Sequence, residues 1–139
     1  MKRRDFFKAS AIGLTIPSTI IKGQKINISK NNPVILSTWN FGLNANIEAL
    51  KELENGGNAM DAAEKGAMHA ESDVENTSVG FGGLPDEKGK VTLDACVMDR
   101  SGNAGSVAFL QNIKHPVSVA RKVMEETKHV MLVGEGANQ

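Results

Sequence analysis

A chain of 139 residues with 16 basic residues against 16 acidic ones holds at most one domain and carries no broad charged footprint. That excludes nucleic acid and anionic membrane surfaces as its principal partners. Its one cysteine, Cys96, cannot close an internal disulfide, and within the apolar run Val91 to Met98 it is expected to pack as a small hydrophobe.

At the amino terminus, Lys2-Arg3-Arg4-Asp5-Phe6-Phe7-Lys8 precedes the uncharged apolar run Ala9 to Ile21, which is too short to span a bilayer as a mature helix. The pattern has the form of an export signal, and the paired arginines before Phe6-Phe7-Lys8 resemble a twin-arginine address. The alternative is the basic start of a cytosolic amphipathic helix. Residues 1–29 are set aside as export signal and linker, and 30–139 as the folded portion. The expected location is periplasmic or extracellular, with no membrane contact apart from the signal.

Pro33 introduces Val34-Ile35-Leu36, a continuous apolar run that predicts a strand covered on both faces. Asn44 is placed to cap a helix over about 45–55, with Ile47, Leu50 and Leu53 on its apolar side and Gly56-Gly57 supplying the left-handed stop. Asn58 with Asp61 has the form of a capping box, and Met60, Ala63, Ala67 and Ala70 recur at helical spacing, which predicts a second helix over about 59–72. After the glycine-rich stretch Ser78 to Gly89, the run Val91 to Met98 alternates as a strand does. Arg100-Ser101-Gly102-Asn103 turns it into a partner, Ala104 to Phe109. Pro116 suits a first helical position, and Val117, Ala120, Val123 or Met124, and Thr127 give one apolar side to a helix ending near Lys128. A buried strand, His129 to Val133, follows, and Gly134-Glu135-Gly136-Ala137 would normally turn into a further element. This order predicts a layered α and β structure whose sheet edges these strands cannot all pair.

A self-contained catalytic set is not evident. His69, His115 and His129 lack the close spacing of a metal site, so neither metal nor cofactor is expected. Asp86 with Asp94, or Glu125 with Glu126, offers paired carboxylates without an assured common pocket, and solvated faces account better for Glu125 and Glu126. Gly80, Gly82 and Gly83 lack the strand-loop-helix framing and the lysine of a phosphate loop, and read more simply as tight turning. Trp39 follows a predicted buried strand, where layered folds open onto ligand crevices, and an indole offers a flat wall with one donor. On composition alone, core or interface packing is the simpler role for it.

Five stretches change that weighting. Pro33 to Gly42, Gly56-Gly57-x-Ala59-x-Asp61-Ala62, Ser78-Val79-Gly80-Phe81-Gly82-Gly83-x-Pro85-Asp86, Thr92-Leu93-Asp94-Ala95-x-Val97-Met98-Asp99, and Ser118 to Glu125 leading into His129 to Gly134 resemble, in order, the α subunit of the glycosylasparaginases. These are hydrolases of the N-terminal nucleophile type. The resemblance runs from about Pro33 to Ala137 and implies an α/β layered (α+β) fold, an incomplete αββα sandwich. It also implies autoproteolysis before a threonine that becomes the first residue of the β subunit, where its hydroxyl is nucleophile and its own α-amine the base. An oxyanion hole from the β portion is implied too. The substrate so implied is asparagine carrying N-acetylglucosamine on its side-chain nitrogen, and the partner is the β portion of the same precursor, giving a hetero-oligomeric complete enzyme.

Residue by residue, Trp39 falls on the family's tryptophan that walls the substrate pocket, Ser78 on its serine near the nucleophile, and Phe41 on the sugar-side rim. For Ser78 the alternative is a turn residue capping Gly80. The tryptophan favours glycosylasparaginases over plant-type asparaginases, whose first strand usually ends in a His-Gly-Gly motif absent here. The sequence departs from the family in one respect: none of its threonines (15, 19, 38, 77, 92, 127) follows Asp or Gly, so the Asp-Thr or Gly-Thr junction lies outside it and no catalytic residue is assigned. The expectation is an amino-terminal fragment of an exported precursor, inactive and poorly folded alone. The alternatives are a non-catalytic remnant, an α-like module needing a separate β chain, an L-asparaginase or isoaspartyl peptidase of the same family, or a small α/β binding domain using the glycine cluster.

Overall fold

Two helices back to back open the fold in the computed structural model, which describes residues 32–139; residues 1–29, expected to be export signal and linker, lie outside the described residues. Helix α1 spans Gly42–Glu54 and α2 spans Ala59–Ser72. Gly56 (φ +92°) and Gly57 stop α1: Gly57 N–H donates to Glu52 C=O at 2.9 Å and Gly56 N–H to Leu53 C=O at 3.1 Å, which satisfies carbonyls the helix end would otherwise leave free. The capping box starts α2 as expected, Asn58 Oδ1 accepting from Met60 and Asp61 N–H while the Asp61 carboxylate accepts from Asn58 N–H.

The buried face of α1 differs from the expected one, and that of α2 keeps only Ala70 of the expected set. In α1 the buried residues are Gly42, Ala45 and Ala49, whereas Ile47 and Leu50 are 47% and 40% exposed. In α2 they are Ala62, Gly66, Ala70 and Glu71. The reason is close approach: a Cβ on Gly66 would lie 2.9 Å from the Ala45 carbonyl oxygen and 3.3 Å from the Ala49 Cβ, so small residues make this seam. Nor does Asn44 cap α1. The helix begins three residues earlier, after Phe41, without a side-chain cap.

A three-stranded sheet in the order β1-β2-β3 follows, with β1 Leu93–Met98, β2 Ala104–Leu110 and β3 Met131–Val133. The hairpin forms as expected, β1 antiparallel to β2, and β3 joins β2 in parallel. Asp99 builds the hairpin turn, its carboxylate accepting from Ser101 and Asn103 N–H and from the Asn103 side-chain amide. Between them, on the crossover to β3, α3 spans Pro116–Glu126, with Pro116 in its first turn, and a short α4 spans Glu135–Asn138.

Helix α3 packs across β1 and β2. At Gly105 a Cβ would lie 2.2 Å from the Ala120 carbonyl oxygen, so helix and strand meet backbone to backbone. Leu93, Val107, Leu110, Ala120, Val123 and Ala137 form the buried core between them. Each fully buried aliphatic side chain of this kind contributes about 1.5–3 kcal/mol of apolar burial. A polar clamp holds α2 beside α3: Arg121 pairs with Asp61 at 2.8 Å and Glu64 at 2.7 Å, and Ser118 Oγ donates to Glu64 at 2.5 Å.

Two further expectations are corrected. Val34-Ile35-Leu36 forms no strand; Val34 is 60% and Leu36 87% exposed and Ile35 half-buried, because among the described residues no strand pairs with this run and nothing covers both of its faces. Cys96 is exposed, on the sheet face opposite α3. That face, with Cys96, Met98 (68% exposed), Met131 (50%) and Val133 (55%), is uncovered among the described residues.

Candidate functional site

A cleft of about 980 Å³ lies between the segment 33–42, the facing sides of α1 and α2, and the start of β1. Trp39, Phe41 and Ser78 all line it. Trp39 sits in the turn that starts α1, where Gly42 N–H donates to its carbonyl at 2.9 Å. With its side chain 69% exposed, the indole is not a core residue. Ser37, packed against Gly42, donates its hydroxyl to the Asn46 side chain and ties the preceding segment to α1. Phe41 is half-buried and Ser78 exposed.

Ser78 is held by its loop. Asn76, 6% exposed, accepts from Ser78 N–H through Oδ1 at 3.0 Å and reaches back to the Ala70 carbonyl with Nδ2 at 3.4 Å. The glycines here serve close approach: a Cβ on Gly80 would lie 2.2 Å from the Glu71 carbonyl oxygen, and one on Gly82 would lie 2.6 Å from the Val74 and Asn76 carbonyl oxygens. The cluster folds the loop against α2.

Sequence reasoning missed Glu71, the last charged residue of α2 and part of the cleft lining. Only 6% exposed, it accepts from Val117 N–H at 2.9 Å and so caps α3 in place of a local side chain. Its other oxygen, Oε2, stands 3.4 Å from His115 Nδ1; both atoms are buried and neither has a hydrogen bond among the described residues. Burial pushes the Glu71 carboxyl up to about 7, against the pull of the Val117 N–H and with a further push from Glu64. Burial, with Lys114 and Lys65, holds the His115 imidazole below its usual range. Burial thus works on both groups in the same way, disfavouring the charged form of each. Nothing in local spacing signals this pair, since Val117 lies 46 residues beyond Glu71.

The other candidates separate. Asp86 is consumed by its own turn, accepting from Lys88 and Lys90 N–H. Asp94 accepts from Phe109 N–H at 2.8 Å, where the β1-β2 register slips and Phe109 takes φ +56°. Glu125 pairs with Arg121, and His69 and His129 are exposed. No group of three potential metal ligands and no helix long and apolar enough to cross a membrane occur among the described residues.

Comparison with known proteins gives a consistent result. A family model described as asparaginase matches residues 15–139. The chain is 53% identical over 97% of its length to the N(4)-(β-N-acetylglucosaminyl)-L-asparaginase of Elizabethkingia miricola. It is 45% identical over 77% of its length to the protein of that name from Rattus norvegicus, and 37% identical over its full length to the one from Mus musculus. It spans only 42%, 31% and 39% of those relatives' own lengths.

Proposed function

The chain belongs to the glycosylasparaginases of the asparaginase family, N-terminal nucleophile hydrolases, and on that premise we propose that it is the α-subunit portion of an exported enzyme that cleaves N-acetylglucosamine from the asparagine side chain. The observation that carries the reading is that Ser78, distant in sequence from Trp39 and Phe41, lines one cleft with them. Trp39 walls the substrate, Phe41 borders the sugar side and Ser78 stands beside the nucleophile. The nucleophile is the threonine at the start of the β portion, and its hydroxyl attacks the side-chain amide carbon. The carbon–nitrogen bond breaks, the nitrogen leaves with the sugar after taking a proton, and water releases aspartate from the ester. Two features support a missing half: the cleft is open, and the sheet face carrying Met98 and Val133 is apolar and uncovered among the described residues.

The test is a fusion of the full chain to the carboxy-terminal remainder of the E. miricola relative. It is expected to cut itself before the relative's threonine and to release aspartate from N4-(β-N-acetylglucosaminyl)-L-asparagine, while the chain alone releases none. A fusion that folds and cuts itself but leaves this substrate untouched, and hydrolyses free asparagine or isoaspartyl peptides, would move the reading to the asparaginase and isoaspartyl peptidase branch. The uncovered sheet face also fits an α-like module that docks on a separate β chain. That reading expects activity on mixing the two separately produced parts.

A further inference from the structure

We infer that Glu71 is a positioning residue for Ser78: its carboxyl fastens the last turn of α2 to the first turn of α3, and the loop that carries Ser78 is folded against that joint. The inference deepens the proposed function and rests on the reading of the cleft as a substrate site.

Three contacts build the joint. Glu71 Oε1 accepts from Val117 N–H at 2.9 Å, at the end of α3 where free N–H groups and the helix dipole favour an acceptor. Glu71 Oε2 stands 3.4 Å from His115 Nδ1, both atoms buried and without a hydrogen bond among the described residues, so the carboxyl also packs against the residue before α3. Gly80 lies directly on the Glu71 backbone, closer than any side chain would allow.

From the joint the chain of contacts leads to the cleft. Asn76 hangs from the Ala70 carbonyl, one residue before Glu71, and its Oδ1 holds Ser78 N–H. Ser78 is thereby bracketed between Asn76, anchored beside Glu71, and Gly80, seated upon it. A carboxyl so buried has no solvent role, and α3 could have been capped by a Ser or Asp at position 115, where the chain instead has His115. A cap borrowed from α2 differs from a local one in a single consequence, which is that it couples α3 to the loop after α2. Glu71 touches no reacting atom in this account; it acts through Asn76 and Gly80.

Amide hydrogen exchange on the fusion described above tests this without reference to turnover. Glu71→Ala is expected to speed exchange at Val117 and across residues 73–80 by about ten-fold or more, with α1 unchanged. Glu71→Gln, whose side-chain oxygen still accepts from Val117 N–H, is expected to restore the parent rates within about three-fold. If the alanine variant does not accumulate, Glu71→Asp, one methylene too short to span the joint, is expected to speed exchange over the same residues. Exchange over 73–80 that stays at the parent rate in either variant, or that rises equally in α1, overturns the inference. In the same preparation, Glu71→Ala is expected to lower kcat by about ten-fold with KM within about three-fold, and to add nothing to Ser78→Ala; additive effects would contradict a role exerted through Ser78. A parent fusion without turnover would count against the functional reading alone, since the exchange rates still decide the role of Glu71.

Discussion

Gly80 and Glu71 are in backbone contact: a Cβ on Gly80 would lie 2.2 Å from the Glu71 carbonyl oxygen and 2.3 Å from its Cα, and Gly80 holds φ +65°. Neither end of that contact is a flexible side chain that could swing away. Gly80→Ala is therefore expected to destabilise the folded fusion by about 2–4 kcal/mol, from overpacking and the left-handed backbone together. The shift of its denaturation midpoint measures this, and a shift equivalent to less than about 0.5 kcal/mol would show that the loop is not seated on α2.

Glu71 also gives the fold a pH signature. Its folded value, about 7, lies above the ordinary 4.5, chiefly through burial. The stability it contributes is therefore full below about pH 4.5 and is lost as pH rises through about 7. Glu64 and His115 face the carboxyl, and Lys114, Lys65 and Glu64 act on His115. His115, shifted downward, works in the opposite sense, losing stability as pH falls through its folded value. Comparing parent with Glu71→Gln removes the carboxyl alone. The parent's thermal midpoint is expected to fall relative to that of the variant between pH 5 and pH 8, and parallel profiles would contradict the burial of an ionisable carboxyl there.

Arg121 joins α2 to α3 through Asp61 and Glu64, and braces itself on Glu125 at 2.7 Å. Its neighbours hold its guanidinium charged, with the hydrogen bond it donates to Glu125 the largest influence. Lys51, by contrast, makes one exposed pair with Glu48. Arg121→Ala is expected to lower the thermal midpoint by roughly 2–4 °C, and Lys51→Ala by less than about 1 °C. Equal shifts would show that solvent screens the clamp as fully as the surface pair.

Particular residues show what local sequence carries. Asn58 with Asp61, Pro116 and the turn Arg100 to Asn103 act within a few residues, and each marks its element in the fold. The faces were harder. Ile47 and Leu50 look like a helical core stripe, yet the α1-α2 seam selects Ala45, Ala49 and Gly66, because closeness of backbones outweighs side-chain size there. Val34 to Leu36 and Cys96 read as buried because their cover was assumed, and none is present among the described residues. Trp39, Phe41 and Ser78 were legible only through likeness to a family, and the fold assembles them around one cleft. Glu71 was not legible, since a single carboxylate at a helix end reads as solvated until the helix it caps, 46 residues on, is brought against it.

Trp39 offers the most direct measurement. Its side chain is 69% exposed and supports no core, so its removal is expected to leave the thermal midpoint of the fusion within about 2 °C of the parent. If the cleft is the α-subunit half of a glycosylasparagine site, Trp39→Ala lowers kcat/KM for N4-(β-N-acetylglucosaminyl)-L-asparagine by about ten-fold or more. An active, self-cleaved fusion in which Trp39→Ala leaves kcat/KM within about two-fold of the parent would contradict it.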